Sequence, residues 1–187
     1  SSRLGRSDTL RTASAPRSAA QPVLARVDGA AVGAGCNRDR CCDLVAAASD
    51  ARFAQIFVHR GLSVDCGGSW LLPNSAGIQQ AKRLAMLGEF VSAEEALRCG
   101  LVTWVKHPDE LGGFIDLIAS QLAAGPPIAL AQNKALINEG ALSSFEMALA
   151  SETRAQGINY ATADAAAARQ AFVDKTKPQF SGEWRLK

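Results

Sequence analysis

A run of very small residues, GAAVGAG at positions 29–35, constrains the fold of this chain most strongly. Glycine and alanine fill too little space to build a conventional core, but they let the backbone approach another group closely. The run follows one short apolar segment, Pro22–Val27, and precedes another, Asp43–Ala48. Both have the length and composition of buried strands. The pattern therefore predicts two short strands flanking a turn whose backbone stays accessible.

The order of the remaining segments predicts an α/β protein with a helical C-terminal half. Short strands are expected near Phe53 and over Leu101–Val105, and a helical period begins at Ala76 and stops at Gly88. Ser92 and Glu95 have the spacing of a capping box, which predicts a short helix ending at Gly100. Four further helices are predicted over residues 109–124, 127–138, 143–161 and 163–175.

Charge and composition exclude several classes of protein. The 187 residues carry a formal charge of +2, and the excess is concentrated in residues 1–21, which contain four arginines and one aspartate. The body is close to neutral, so we expect no nucleic-acid surface, and no apolar stretch is long enough for a membrane span. Residues 1–21 have few apolar side chains and are expected to form a disordered basic tail, with a transit peptide as the alternative.

The cysteines indicate a reducing compartment. There are five, at positions 36, 41, 42, 66 and 99, and none forms a C-x-x-C pair. An odd number without metal-ligand spacing is typical of free thiols, so we expect a cytoplasmic protein without a metal site. His59 and His107 have no catalytic signature around them. The glycines at 29, 33 and 35 do not complete a dinucleotide-binding motif, because Arg38 stands where the last glycine is needed.

Two glycine-rich segments, 29–35 and 61–68, remain as candidates for chemistry, and the second contains Asp65. Glycine clusters can present unobstructed N–H groups to an anionic oxygen. A carboxylate beside such a cluster can transfer protons next to a polarised carbonyl. The alternative is that Asp65 only bonds its own backbone within a turn.

Several segments, in order, resemble the crotonase (enoyl-CoA hydratase/isomerase) family. They are PVLARVDGAAVGAGC…CDLVAAASDARF (22–53), RGLSVDCGGSWLLP (60–73), GEFVSAEEALRCGLVTWV (88–105), AAGPPIALAQNKALIN (123–138) and AAAARQAFVDKTKPQFSG (165–182). The resemblance implies the crotonase fold, a superhelix of ββα turns with a helical C-terminal region, and an acyl-CoA substrate with no separate cofactor. It also implies assembly into a homotrimer or homohexamer through the C-terminal helices.

The resemblance carries over to particular residues. The oxyanion turn corresponds to Gly33-Ala34-Gly35, with the Ala34 N–H as donor, and Asp65 stands where isomerases of the family place a catalytic aspartate. Gly33, Gly35 and Gly67 are implied in substrate binding. Lys134 and Lys175 are implied near the CoA phosphates, with a solvated helix face as the alternative for both.

Two positions favour an isomerase of the epoxyphenylacetyl-CoA or enoyl-CoA type over a hydratase. Hydratases of the family typically carry glutamates where this chain has Asn37 and Phe57, and neither residue can relay a proton. One carboxylate suffices to move a proton along an enolate, whereas hydration also needs an activated water. Enoyl-CoA hydratase is kept as the alternative.

The chain also departs from the family. The resemblance implies a domain incomplete at its N-terminus, and the segment Asn37-Arg38-Asp39-Arg40 replaces a small apolar helix. Charges there must be paired or exposed, because burying an unpaired charge is costly. A non-catalytic truncated homologue is therefore a third alternative. The predicted division is a tail (1–21), a catalytic core (22–105) and a C-terminal oligomerisation region (106–187).

Overall fold

The computed structural model describes residues 14–185, which fall into two compact units. Residues 14–19 and 23–118 belong to the first unit, and residues 20–22 and 119–185 belong to the second. The boundary between these units follows Ile118. The assignment of 22–105 to catalysis and of 106–187 to assembly stays a prediction.

Two three-stranded sheets form the first unit. The strands are β1 (Leu24–Val27), β2 (Ala30–Val32), β3 (Leu44–Ala48), β4 (Arg52–Ala54), β5 (Phe90–Ser92) and β6 (Trp104–Lys106). One sheet has the order β1-β3-β6 and is parallel, and the other has the order β2-β4-β5, with β5 antiparallel to β4. The central strand β3 ends in three alanines that are at most 1% exposed. Such small side chains suit a strand covered on both faces.

The helices of the first unit are α1 (Ala34–Asp39), a 3₁₀ helix (Ile56–Arg60), α2 (Gly68–Leu87) and α3 (Ala93–Arg98), and α4 (Pro108–Ala123) crosses the boundary between the units. Helix α2 begins at Gly68, earlier than the Ala76 predicted from sequence. Gly77 interrupts it with φ 76° and ψ 159°, so the periodic face recognised in the sequence belongs to its second half alone. The capping box is confirmed, because the Ser92 hydroxyl accepts a hydrogen bond from the Glu95 N–H.

The second unit contains α5 (Pro127–Gly140), α6 (Phe145–Tyr160) and α7 (Ala163–Asp174). The C-terminal segment that follows α7 returns to its first turn, where the Asp164 carboxylate accepts hydrogen bonds from the N–H groups of Ser181 and Gly182. No single helix in residues 14–185 is long and apolar enough to cross a membrane, although the bent pair α4 and α5 passes that test jointly by length and composition.

The N-terminal tail expected to be disordered is ordered in part. Residues 14–18 form a short helix, and the Arg17 guanidinium lies 4.2 Å from the centroid of the Trp70 ring. Such a cation–π contact contributes about 0.5–1 kcal/mol at a partly exposed site, an attraction that the composition of the tail did not reveal. The rest of the predicted tail, residues 1–13, lies outside the described residues.

Candidate active site

The turn between β2 and α1 is built on the left-handed backbone of Gly33. Its φ is 55° and its ψ is −123°, a conformation that glycine adopts at little cost. The Gly33 N–H donates to the Ala54 carbonyl at 2.8 Å, which fixes the turn to β4. A Cβ at this position would also lie 3.6 Å from the Phe57 ring. Glycine is thus required here by conformation and not by lack of space.

The turn leaves backbone N–H groups at the start of α1. The Asn37 N–H donates to the Gly33 carbonyl at 3.2 Å and closes the first helical turn. The N–H groups of Ala34 and Gly35 come earlier and have no acceptor within the helix. Ala34 is half-buried and Gly35 is exposed. These N–H groups are suited to an oxygen that carries negative charge.

Asp65 lies on the loop that joins the 3₁₀ helix to α2, and its side chain is exposed. Its backbone carbonyl accepts two hydrogen bonds, from the Asn37 side-chain amide and from the Gly68 N–H, each of 2.9 Å. After it the chain turns through two left-handed residues, Cys66 with φ 48° and Gly67 with φ 79°, before α2 begins. Gly67 is exposed and its position demands a glycine-like conformation.

Asn37 and Gln55 form a buried pair of amides. The Asn37 Nδ2 donates to the Gln55 Oε1 at 3.1 Å, and the Gln55 Nε2 donates to the Asn37 Oδ1 at 2.9 Å. Asn37 is 0% exposed and Gln55 is 2% exposed. Gln55 was not recognised from sequence, although a glutamine inside the apolar stretch RFAQIF was the available signal. Through Asn37, the structure joins the Gly33–Gly35 turn to the Asp65 loop.

The charged segment 37–40 is accommodated in three ways. Arg38 is exposed, and Asp39 is half-buried, which raises the pKa of its carboxyl. Arg40 is only 7% exposed, and its Nη2 donates to the Leu71 carbonyl at 2.8 Å. Desolvation lowers the pKa of Arg40, and its Nη1 has no hydrogen-bond partner among the described residues. The expectation that these charges are paired or exposed is therefore wrong for Arg40, which is buried with carbonyl contact instead of a counter-ion.

The cysteines are free thiols, as the sequence predicted. Burial raises the pKa of Cys36 to about 11. The pKa of Cys66 also rises to about 11, through desolvation first and then through a hydrogen bond with the Asp65 carboxylate and its charge. Residues 14–185 contain no group of three His, Cys, Asp or Glu side chains suited to holding a metal ion.

Lys134 and Lys175 belong to the second unit. Lys134 lies on α5, and its Nζ donates to the Gln21 carbonyl at 3.1 Å. Lys175 follows the last turn of α7 in a left-handed conformation and is exposed. The predicted contacts of both lysines with CoA phosphates stay predictions.

Sequence comparison identifies relatives along almost the whole chain. The family model described as enoyl-CoA hydratase/isomerase matches residues 6–183. A probable enoyl-CoA hydratase of Rhodobacter capsulatus is 41% identical over 162 residues, which cover 86% of this chain and 63% of the relative. The 1,2-epoxyphenylacetyl-CoA isomerase of Escherichia coli is 36% identical over 163 residues, covering 87% of this chain and 62% of the relative. The chain thus spans a little over three fifths of the length of these curated relatives.

Comparison with solved structures finds the same fold in enoyl-CoA hydratases. An enoyl-CoA hydratase from Bacillus anthracis superimposes with a TM-score of 0.92 at 30% identity, over 95% of this chain and 69% of that one. An enoyl-CoA hydratase from Polaromonas sp. JS666 superimposes with a TM-score of 0.90 at 35% identity, over 94% and 68%.

Proposed function

Because the chain belongs to the enoyl-CoA hydratase/isomerase family, we propose that it binds an acyl-CoA and that Asp65 transfers the proton in an enoyl-CoA isomerisation. The crotonase-type fold predicted from sequence is confirmed by the close superposition on solved members. The same family is shared by relatives named hydratases and by relatives named isomerases, so the choice between these reactions depends on residues of this chain.

One observation carries the preference for isomerisation. Asp65 has an exposed carboxylate on a loop that is hydrogen-bonded to α1. By the family resemblance, hydratases carry glutamates at two positions that hold the buried Asn37 and Phe57 in this chain. An amide and a phenyl ring cannot exchange protons at neutral pH. A single carboxylate supports a proton shuttle, but it leaves no second group to activate water.

The proposed reaction moves a double bond toward the thioester. The Asp65 carboxylate removes a proton from the α carbon of a 3-enoyl-CoA, and the electron pair of that C–H bond moves into an enolate. The Ala34 N–H, with Gly33 and Gly35 shaping its turn, donates to the enolate oxygen. The protonated Asp65 then returns the proton to the γ carbon and yields the conjugated 2-enoyl-CoA. No cofactor is needed, because the CoA thioester is itself the substrate.

The test is the turnover of a 3-enoyl-CoA to its 2-isomer, followed by the absorbance of the conjugated thioester. Asp65→Asn keeps the size of the side chain and removes the base, so turnover is expected to fall by about 10²–10⁴-fold while acyl-CoA binding persists. Asp50→Asn, on an exposed turn, is the matched control. Equal inactivity of the wild type and Asp65→Asn, with CoA bound by both, would instead support a non-catalytic homologue.

The second candidate is enoyl-CoA hydratase, which the names of several relatives favour. It is tested by adding crotonyl-CoA and following the loss of the conjugated thioester absorbance. Ready hydration by the wild type would contradict the preference for isomerisation, since it would require a proton relay that Asn37 and Phe57 do not offer.

We further propose assembly into a homotrimer or homohexamer through the second unit, and a cytoplasmic location. Helices α5 to α7 expose large apolar side chains, among them Ile137, Phe145 and Phe172. Large apolar side chains left exposed in this number support association through the second unit. Free thiols at all five cysteines agree with a reducing compartment.

A further inference from the structure

Both N–H hydrogens and the oxygen of the Asn37 side-chain amide are hydrogen-bonded, and all three bonds reach residues outside α1. One Nδ2 hydrogen is directed to the Gln55 Oε1 at 3.1 Å and the other to the Asp65 carbonyl at 2.9 Å. The Asn37 Oδ1 accepts from the Gln55 Nε2, which fixes which end of the amide is nitrogen. A carboxylate of similar shape would accept only and could not make the bond to the Asp65 carbonyl.

Burial makes these bonds rigid and costly to lose. Both amides are almost fully removed from solvent, and Gly68 packs directly against the Asn37 amide, where a Cβ would overlap Nδ2. A buried polar group left without a partner costs about 1–3 kcal/mol. The orientation of both amides is therefore fixed by their mutual hydrogen bonds and by the bond from Asn37 to the Asp65 carbonyl.

The loop that carries Asp65 is largely exposed, although Val64 packs against the core and the Leu62 N–H donates to the Phe57 carbonyl at 3.0 Å. Leu62, Ser63 and Asp65 are exposed. On the far side of Asp65, the chain passes through the left-handed Cys66 and Gly67. The hydrogen bonds from Asn37 and Gly68 to the Asp65 carbonyl hold the backbone of this residue, while the Cys66 thiol is hydrogen-bonded with its carboxylate.

We propose that Asn37, held by Gln55, is a positioning residue that fixes the Asp65 backbone relative to the turn at Gly33–Gly35. The role of Asp65 as the base rests on the function proposed above. Asn37 lies on α1, whose first residues supply the N–H groups of the turn, so one short helix sets both the oxyanion donors and the base. A displacement of about 1 Å in a reacting group can cost 10²-fold in rate.

The test is a cycle of three variants: Asn37→Leu, Gln55→Leu and the double variant. Each single change leaves a buried amide without its partner and is expected to destabilise the fold. Replacing both amides by apolar groups of similar shape removes that penalty, so the double variant should recover most of the stability. Its Asp65 carbonyl nevertheless lacks the Asn37 donor.

Two readouts separate positioning from stability. Turnover of the 3-enoyl-CoA should fall about 10²-fold in Asn37→Leu and in the double variant, with KM little changed, and should fall less in Gln55→Leu, which keeps the Asn37 donor. Amide hydrogen exchange at Gly68 should speed up in the same two variants. The control is Ser92→Ala, which removes the α3 cap and lowers stability without touching Asp65.

The outcomes are distinguishable. A double variant with wild-type stability, turnover and Gly68 exchange would overturn the proposal, as would activity that follows stability through all variants, Ser92→Ala included. If the wild type has no isomerase activity, the proposed function fails, and Gly68 exchange still decides the positioning: faster exchange in the double variant supports it, and unchanged exchange overturns it.

Discussion

The thiol of Cys36 is subject to opposing influences at the scale of a single residue. Burial disfavours the thiolate, while the positive charge of Arg40 and a hydrogen bond with Gln55 favour it. Burial prevails, and the pKa of Cys36 rises from 9.0 to about 11. A thiol in this state is a small apolar group in the core and a poor nucleophile at neutral pH.

This shift predicts a loss of stability at alkaline pH. Below pH 9 the thiol of Cys36 is protonated in both the folded and the unfolded chain, so it causes no pH dependence. Between pH 9 and about 11 the unfolded chain releases the proton and the folded chain keeps it, so the free energy of unfolding falls as pH rises. Above about 11 the contribution levels off.

The measurement is denaturant unfolding at a series of pH values for the wild type and Cys36→Ala. The alanine variant lacks the titrating group, and the difference between the two curves isolates Cys36 from lysines that titrate nearby. Parallel curves between pH 9 and 11 would show that Cys36 has an ordinary pKa.

At the scale of elements, the C-terminal segment is fastened to α7 by backbone geometry. Gly182 has φ 72°, and a Cβ there would lie 2.7 Å from the Pro127 Cγ. Its N–H and that of Ser181 donate to Asp164, and Ala163 donates to the Glu183 carbonyl. The segment is therefore held by bonds that require one glycine.

Gly182→Ala is expected to release this segment. The left-handed conformation costs a residue with a Cβ about 1–2 kcal/mol, and the contact with Pro127 adds to that. Limited trypsin digestion followed by mass measurement should show faster cleavage after Lys175. Gly157→Ala is the matched control: its Cβ would meet nothing within 4 Å, so within α6 it should be neutral or stabilising. Equal cleavage rates in the two variants would contradict the fastening.

Local signals predicted the elements better than the site. Ser92 and Glu95 are three residues apart, and their cap was found from sequence. The bounds of helices α4 to α7 were predicted to within two residues, and in the structure Ser144 and Thr162 cap the starts of α6 and α7. The Asn37–Gln55 pair joins residues 18 apart. No local sequence pattern links them. Asn37 was therefore singled out from sequence because an amide cannot relay a proton, and its hydrogen bond with Gln55 was not predicted.

At the scale of the whole molecule, exposed apolar surface is conspicuous in the second unit. Phe172 is 85% exposed, and Ile137, Phe145, Leu142 and Val173 are each more than 70% exposed. Leaving such side chains in water forfeits about 1.5–3 kcal/mol for each one that could be fully buried. This surface favours association of several chains.

Light scattering at micromolar concentration is expected to give a trimer or a larger assembly. Phe172→Glu should shift the protein toward smaller species, because burying a charge in an apolar contact is unfavourable. Met86→Glu, on α2 of the first unit, places the same charge elsewhere and should leave the assembly unchanged. A single species of 19.6 kDa for the wild type would contradict the assembly.

The paired amides also restrict how this sequence can change over generations. A carboxylate at position 37 could not donate a hydrogen bond to the Asp65 carbonyl. Loss of the Gln55 amide alone would leave the Asn37 Oδ1 without its hydrogen-bond donor. The effect of a substitution at either position on stability is therefore expected to depend on the residue at the other position, which is epistasis between residues in contact.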